Sequence, residues 1–307
     1  MERDGRMPLV GFVGTGVMGR SMALHLIRAG YRLRVHNRTR EKASDLLAAG
    51  ASWAGSPGEA ADGAAFVVTM VGFPSDVREV YLAPGAILER AAAGSIAIDM
   101  TTSEPSLARE IYEKAQSRGV SALDAPVSGG DVGARNATLS IMVGGDREAF
   151  ERALPLFQAM GRTIVHQGPA GSGQHTKLCN QIALASTMVG VMEALLYARR
   201  SGLDPARVLE SIGSGAAGSW ALTNLQPRAL RGDFAPGFYV RHFLKDIRIA
   251  IAESERMGIA TPGLRLAKDL YEKVVDLGGE SSGTQAIYQA LEHLSSPPPG
   301  TREPPRR

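Results

Sequence analysis

The chain has 307 residues, of which 44% are hydrophobic and 21% charged, a composition typical of a globular protein with one large or two ordinary domains. Of the formal net charge of +3, the C-terminal Arg302, Arg306 and Arg307 against Glu303 supply +2, so the rest of the chain has no basic stretch suited to a nucleic-acid backbone. The single cysteine, Cys179, excludes an internal disulfide and suits a reducing compartment; we expect it to be a small core residue rather than a nucleophile.

Short apolar runs alternate with amphipathic helical stretches from Pro8 to about Gly168. The runs are unbroken rather than alternating, which is typical of strands buried on both faces of a mainly parallel sheet. The predicted strands are LVGFVG, YRLRVH, FVVTMV, SIAIDMT, VSALDA, LSIMVGG and TIVHQG.

After Gly168 the spacing of apolar residues becomes helical. Six helical segments are predicted near residues 177–200, 204–213, 219–231, 241–257, 263–276 and 283–295. The fold class is therefore α/β: a nucleotide-binding domain over 1–168 is joined by a long helix to an all-helical domain over 169–295. The Pro-rich end, 296–307, is expected to be disordered.

Two segments bear on localisation. The N-terminal MERDGRMP lacks an apolar signal core, so we expect no secretion signal. The long apolar helix is interrupted by Asn180 and Gln181 and closed by Glu193, which favours a buried core helix over a membrane span. We expect a cytoplasmic protein that does not bind membranes, with an organelle matrix as the alternative.

A glycine fingerprint lies between the first predicted strand and the first helix. Its first glycine permits a tight turn, its second lets the backbone approach a pyrophosphate, and its third brings the helix close to the strand. With the strand, the helix and a second strand in place, the motif predicts a Rossmann-type dinucleotide site rather than a structural turn. The predicted cofactor-binding residues here are Gly14, Thr15, Gly16, Val17, Met18 and Gly19.

The end of the second strand bears on which dinucleotide binds. Where an acidic residue commonly binds the adenosine ribose, this chain has His36 followed by Asn37, Arg38, Thr39 and Arg40. No carboxylate is there to repel a 2′-phosphate, and Arg38 is able to pair with one. Asn37, Arg38 and Thr39 are predicted to be cofactor-binding residues. The sequence therefore favours NADP over NAD, although both arginines also fit solvated surface positions.

Two later motifs carry candidate substrate groups. In DAPVSGG, Ser128 and the backbone amides of Gly129 and Gly130 form a seat for a small carboxylate, unless the stretch is only a tight loop. In GSGQHTKLCN, Lys177 lies at the start of the long apolar helix, and Asn180 shares its helix face. A helix N-terminus and partial burial disfavour an ammonium, so we expect a lowered lysine pKa; the alternative is a lysine that extends to solvent.

Together with FYVRHFLKD at 238–246, these motifs resemble, in order, the β-hydroxyacid dehydrogenase family over about residues 8–294. That family includes 3-hydroxyisobutyrate dehydrogenases, tartronate semialdehyde reductases and glyoxylate/succinic semialdehyde reductases. The resemblance implies that Lys177 is the catalytic acid/base and that Asn180 binds substrate. It further implies a cofactor role for Met70, Val71 and Lys245, a substrate role for Phe238 and Asp246, and both roles for Thr102.

The implied reaction is hydride transfer between NADP(H), or NAD(H), and a short carboxylate-bearing substrate. We expect a 3-hydroxyisobutyrate-like substrate, with NADPH-dependent reduction of glyoxylate or succinic semialdehyde as the alternative. Imine reduction and a non-catalytic binding module are open as other functions, but Lys177 argues against both because relatives of those kinds lack the lysine. No histidine spacing suggests a metal, and the resemblance implies a homo-oligomer, either dimer or tetramer.

Overall fold

The structure is a computed structural model that describes residues 7–296. Within these residues, nine strands form one sheet. The seven predicted strands are confirmed, and two strands of two residues each, β3 and β7, were not predicted. The strands are β1 (Leu9–Val13), β2 (Arg32–His36), β3 (Ser52–Trp53), β4 (Phe66–Thr69), β5 (Ile96–Asp99), β6 (Ser121–Asp124), β7 (Val127–Ser128), β8 (Leu139–Gly145) and β9 (Gly161–Gly168).

The strand order is β3-β2-β1-β4-β5-β6-β8-β7, and β9 also pairs with β8. Strands β1 to β6 are all parallel to one another, as predicted. The strand β8 runs antiparallel to β6 and β7 and parallel to β9. Because the chain leaves β1 toward β2 and returns on the other side at β4, the carboxyl end of β1 lies at the switch point where such sheets bind ligands.

Both faces of this sheet are buried, which explains the unbroken apolar runs. Along β4, Phe66 and Val68 belong to one core cluster and Val67 to the other. Helices before the long helix cover the two faces. They are α1 (Val17–Arg28), α2 (Ser44–Ala48), α3 (Pro57–Ala61), α4 (Pro74–Leu82), α5 (Ile87–Arg90), α6 (Pro105–Gln116), α7 (Gly130–Arg135) and α8 (Arg147–Gln158), with a 3₁₀ helix at Arg40–Ala43.

The helix α9 (Ser172–Arg200) is 29 residues long, and the remaining elements are helical, as predicted. The segment predicted at 219–231 consists of two helices that are separated at Leu225. Pro227 lies in the first turn of the second helix and lacks the N–H that a continuous helix needs. These helices are α10 (Pro205–Gly213), α11 (Trp220–Asn224), α12 (Gln226–Leu230), α13 (Val240–Arg256), α14 (Pro262–Asp276) and α15 (Ile287–Leu294), with a 3₁₀ helix at Thr284–Ala286.

The chain divides into two compact units, one up to Asn180 and one from Gln181 onward, so the boundary lies inside α9. Of the predicted disordered tail, residues 297–307 lie outside the described part of the chain.

Within residues 7–296, α9 is the one helix long and apolar enough to cross a membrane by length and composition. This is weak evidence for a membrane span because core helices of soluble proteins have the same character, and 44% of its most apolar window is buried. The prediction for Cys179 is wrong: its side chain is exposed, on the same outward face of α9 as Ala183. Trp220 is also exposed.

Candidate active site

The glycine loop has the spacing that the fingerprint predicts. A Cβ on Gly14 would clash with the backbone carbonyl of Met70, and a Cβ on Gly19 would clash with that of Gly14, so both positions require glycine for close packing. A Cβ on Gly16 would meet no atom within 4 Å. Gly16 is thus the exposed N-cap of α1, with open space in front of the helix amides.

This loop fits the pyrophosphate of a dinucleotide. Its Thr15 side chain is buried, and the hydroxyl Oγ1 has no hydrogen-bond partner in the structure. The Thr15 N–H donates to the side-chain carbonyl oxygen of Asn37 (3.1 Å), and the Asn37 amide donates to the Thr39 carbonyl (2.8 Å). Asn37 therefore fixes the loop from the end of β2, a role that sequence reasoning did not assign to it. With Gly16 open, the first-turn amides of α1 are positioned to bind phosphate oxygens.

The other residues predicted around the cofactor lie at neighbouring strand ends. Val71 follows β4, and its Cγ1 would be 3.3 Å from a Cβ on Gly14. The Val71 N–H donates to Thr101 Oγ1 (3.0 Å), which joins the end of β4 to the end of β5. Thr101 is buried, whereas Thr102, for which both a cofactor and a substrate role are predicted, is half-buried.

The residues after β2 present two arginines. Arg38 is mostly exposed, and its guanidinium lies 3.2 Å from the carboxylate of Asp76. The same carboxylate accepts the N–H of Phe73 (3.1 Å) at the start of α4. Arg40 lies over the indole of Trp53, 5.5 Å from its centroid. Sequence reasoning identified Arg38 but not its acidic partner, which is 38 residues away in the chain.

The predicted carboxylate seat is a turn between β7 and α7. Ser128 ends β7 with its side chain half-buried, and the next two residues are exposed or half-buried. Gly129 and Gly130 have φ of 128° and 60°, a conformation that other residues rarely adopt. The turn therefore requires both glycines, which directly follow Ser128 in the chain.

Lys177 and Asn180 both lie on α9, as predicted. Lys177 is buried, with 6% of its surface exposed, and Asn180 is half-buried one turn further along. A buried lysine near the start of a helix is unusual because burial penalises the ammonium. The burial argues against a lysine that merely extends to solvent.

A buried hydrogen-bond network underlies the first turn of α9, and sequence reasoning missed it. The Asp124 carboxylate accepts the N–H groups of Gly171 and Gln174, both at 2.8 Å. The Gln174 side chain donates to the Thr101 carbonyl (2.8 Å) and accepts the N–H of Ser103 (2.9 Å). These bonds tie the helix that carries Lys177 to the ends of β5 and β6.

Asp99, the last residue of β5, extends this hydrogen-bond network. Its carboxylate accepts the Thr69 hydroxyl (2.8 Å) and the Thr101 N–H (3.0 Å). The Thr69 hydroxyl lies 3.1 Å from the hydroxyl of Tyr81, and burial, with Asp99 nearby, raises the Tyr81 pKa well above its ordinary value. Tyr81 is therefore a neutral hydrogen-bonding group at neutral pH.

The motif FYVRHFLKD, residues 238–246, lies in the second unit and includes the start of α13. Phe238 stacks on His242, with ring centroids 6.5 Å apart. Asp246 is fully buried and accepts a hydrogen bond from Gln181, and its other oxygen lies 2.8 Å from the Lys245 ammonium. The cofactor and substrate roles predicted for Phe238, Lys245 and Asp246 stay predictions.

Comparison with known proteins assigns both halves of the chain. The family model described as the NAD binding domain of 6-phosphogluconate dehydrogenase matches residues 9–168. The model described as "NAD-binding of NADP-dependent 3-hydroxyisobutyrate dehydrogenase" matches residues 171–291.

Individual relatives agree over nearly the whole length. The chain is 56% identical over 280 residues to the uncharacterized oxidoreductase YkwC of Bacillus subtilis (strain 168), covering 91% of this chain and 97% of the relative. It is 50% identical over 288 residues to the probable 3-hydroxyisobutyrate dehydrogenase-like 1, mitochondrial, of Arabidopsis thaliana, covering 94% and 86%. The solved Mycobacterium tuberculosis 3-hydroxyisobutyrate dehydrogenase with L-serine superposes with a TM-score of 0.84 at 33% identity, covering 93% and 99%.

The glycine loop, the sheet order and the buried lysine thus occur in a chain that the solved relative covers over 93% of its length. The resemblance stated from the sequence motifs is confirmed. The chain belongs to the family of NAD(P)-dependent 3-hydroxyisobutyrate and other β-hydroxyacid dehydrogenases.

Proposed function

We propose that the protein transfers a hydride between NADP(H) and a short β-hydroxyacid or its semialdehyde, with Lys177 as general acid/base. The observation that carries the proposal is the burial of Lys177 at the start of α9, one turn before Asn180. A 3-hydroxyisobutyrate-like compound is the proposed substrate, and the solved relative with L-serine, also a β-hydroxy carboxylate, supports that class. NADPH-dependent reduction of glyoxylate or succinic semialdehyde is the second candidate.

In the proposed mechanism, each of the candidate site residues has a separate role. A bound nicotinamide cofactor would supply or accept the hydride. In reduction, the Lys177 Nζ donates a proton to the oxygen on which negative charge grows; in oxidation, the same amine takes the hydroxyl proton. Asn180 orients the hydroxyl, and Ser128 with the amides of Gly129 and Gly130 binds the carboxylate.

The proposed preference for NADP rests on the end of β2. No carboxylate ends that strand, and the exposed Arg38 is available to a 2′-phosphate at the cost of a surface ion pair with Asp76. Exposed ion pairs contribute at most about 1 kcal/mol, so a phosphate carrying nearly two charges competes well for the guanidinium.

We also propose a cytoplasmic homo-oligomer, whose mass by light scattering is a multiple of 32.4 kDa.

The substitution Lys177→Met tests the catalytic role. Initial rates are measured with NADPH and NADH on a panel of two- to four-carbon semialdehydes and hydroxyacids. General acid/base groups contribute about 10²- to 10⁴-fold, so we expect kcat to fall by that factor. Lys114→Met is the matched control because Lys114 is an exposed helical lysine.

Two results would contradict the proposal. If Lys177→Met retains kcat within about tenfold of the unsubstituted protein, the amine is not the acid/base. If the unsubstituted protein binds NADPH but turns over no member of the panel, the non-catalytic binding module is the better interpretation.

A further inference from the structure

The helix that carries Lys177 lacks an N-terminal cap of its own. Ser172 is its first residue, so the N-cap position falls on Gly171, which has no side chain to accept a hydrogen bond. A Cβ at Gly171 would lie 3.0 Å from the Pro105 carbonyl and 3.2 Å from the Arg109 guanidinium, so this position has little room for a capping side chain. The missing acceptor must come from elsewhere in the fold.

Asp124 supplies that acceptor from 47 residues upstream. One carboxylate oxygen accepts the Gly171 N–H and the other accepts the Gln174 N–H, both at 2.8 Å. Both amides lie at the helix start, where no intrahelical carbonyl is available to the N–H groups. A carboxylate at this end also interacts favourably with the helix dipole.

The space around the carboxylate is closely fitted to it. A Cβ on Gly144 would lie 2.5 Å from one Asp124 oxygen, and a Cβ on Gly173 would lie 2.9 Å from the other. Any other residue at these two glycines would displace the carboxylate from the amides. The position of the carboxylate therefore depends on the absence of side chains at Gly144 and Gly173.

We infer that Asp124 is a positioning residue, whose ionised carboxylate fixes the first turn of α9 and thereby sets the place of the Lys177 amine. This inference rests on the proposed role of Lys177. Lys177 follows Gln174 by three residues, so a shift of the first turn moves the amine directly. Displacement of a catalytic group by about 1 Å can cost about 100-fold in rate.

The anchor depends on ionisation. The carboxylate offers two acceptors to two N–H groups, whereas a protonated carboxyl has an O–H in place of one acceptor and leaves one amide without its partner. Burial is the main reason that the pKa of Asp124 rises to about 6. The other ionisable groups packed around this anchor are Asp99 and Tyr81, which line the same small cavity, and Arg109 beside Gly171.

The test compares the unsubstituted protein with Asp124→Asn, using NADPH and the best substrate of the panel from pH 5 to pH 9. The Asn side chain has one acceptor, so one amide faces an NH₂ group. At pH 7.5 we expect kcat to fall about 10- to 100-fold, while KM for NADPH changes less than about twofold. The decline in kcat below about pH 6 in the unsubstituted protein is expected to be absent from Asp124→Asn.

The matched control is Asp146→Asn. Asp146 follows β8, and its carboxylate accepts hydrogen bonds from Tyr112 and Gln116 of α6 rather than from α9. We expect this variant to keep the kcat and the pH profile of the unsubstituted protein. If Asp124→Asn also keeps both, Asp124 does not position the lysine.

Hydrogen exchange in the unsubstituted protein tests the anchor even if Asp124→Asn does not fold. After correction for intrinsic rates, the amides of residues 171–174 should be less protected at pH 5 than at pH 7.5. Equal protection at the two pH values would overturn the inference. An active Lys177→Met would contradict the proposed function instead, whereas an inactive Lys177→Met with an unaffected Asp124→Asn would contradict this inference alone.

Discussion

The raised pKa of Asp124 makes the stability of the first unit depend on pH in a calculable way. Burial, and to a smaller extent the Asp99 carboxylate, raises this pKa from 3.8 to about 6, while the hydrogen bonds from Gly171 and Gln174 act in the opposite direction. The folded protein therefore binds this proton more tightly than the unfolded chain. The corresponding stabilisation is complete below about pH 4 and is lost as the pH rises through 6.

The difference between the two pKa values corresponds to about 3 kcal/mol, and no large discount for solvent applies because Asp124 is 4% exposed. Asparagine does not titrate. The unfolding free energy of Asp124→Asn minus that of the unsubstituted protein should therefore increase by about 2.5 kcal/mol between pH 4 and pH 7, mostly below pH 6. A constant offset from the lost N–H contact does not affect this slope.

Urea unfolding followed by tryptophan fluorescence measures this difference. The chain has two tryptophans, Trp53 in the first unit and the exposed Trp220 in the second. A Trp220→Phe background leaves Trp53 as the reporter of the unit that contains Asp124. A difference between the two proteins that is constant from pH 4 to pH 7 would show that the carboxyl is not desolvated as the structure implies.

Two matched pairs of substitutions test the cofactor site. Arg38→Asp should lower kcat/KM for NADPH relative to NADH at least about tenfold. Arg32→Asp makes the same charge change at the far end of β2 and should not lower this ratio. Asp76→Asn should raise kcat/KM for NADPH up to about fivefold because it frees the Arg38 guanidinium. Unchanged ratios for Arg38→Asp would exclude phosphate binding there. Gly16→Ala should raise KM for the cofactor about tenfold at an unchanged melting temperature, whereas Gly19→Ala, which clashes with a backbone carbonyl, should destabilise the fold by about 1–3 kcal/mol. Equal melting temperatures for the two alanine variants would contradict the packing argument.

The sequence predicted most of the fold because burial on both sheet faces leaves unbroken apolar runs. The strands β3 and β7 were missed because two residues are too few to form a periodic pattern. The assignment of Cys179 to the core was wrong for a different reason. The helix α9 carries apolar residues around much of its circumference, so its sequence does not indicate which face is outside.

The candidate site was predictable where its residues form local motifs. The glycine loop and Lys177 are of this kind. The partners that hold them were not, because each joins distant parts of the chain: Asn37 reaches Thr15, and Asp124 caps a helix that begins 48 residues later. A local capping motif would have revealed the second contact, but the N-cap of α9 is a glycine.

The aspartate at position 124 is best explained by function rather than stability. Its charged form is the one that destabilises the fold above pH 6, since burial penalises the charge. The same form is the one with two acceptors for the two amides of α9. Natural cores avoid buried charges unless a specific contact requires them, and Gly144 and Gly173 leave space for this one at the further cost of two flexible backbone positions. Loss of stability with rising pH and gain of kcat with rising pH therefore follow from one ionisation. The gain of kcat should have its midpoint near pH 6, whereas the loss of stability should extend from the unfolded pKa of 3.8 to about 6.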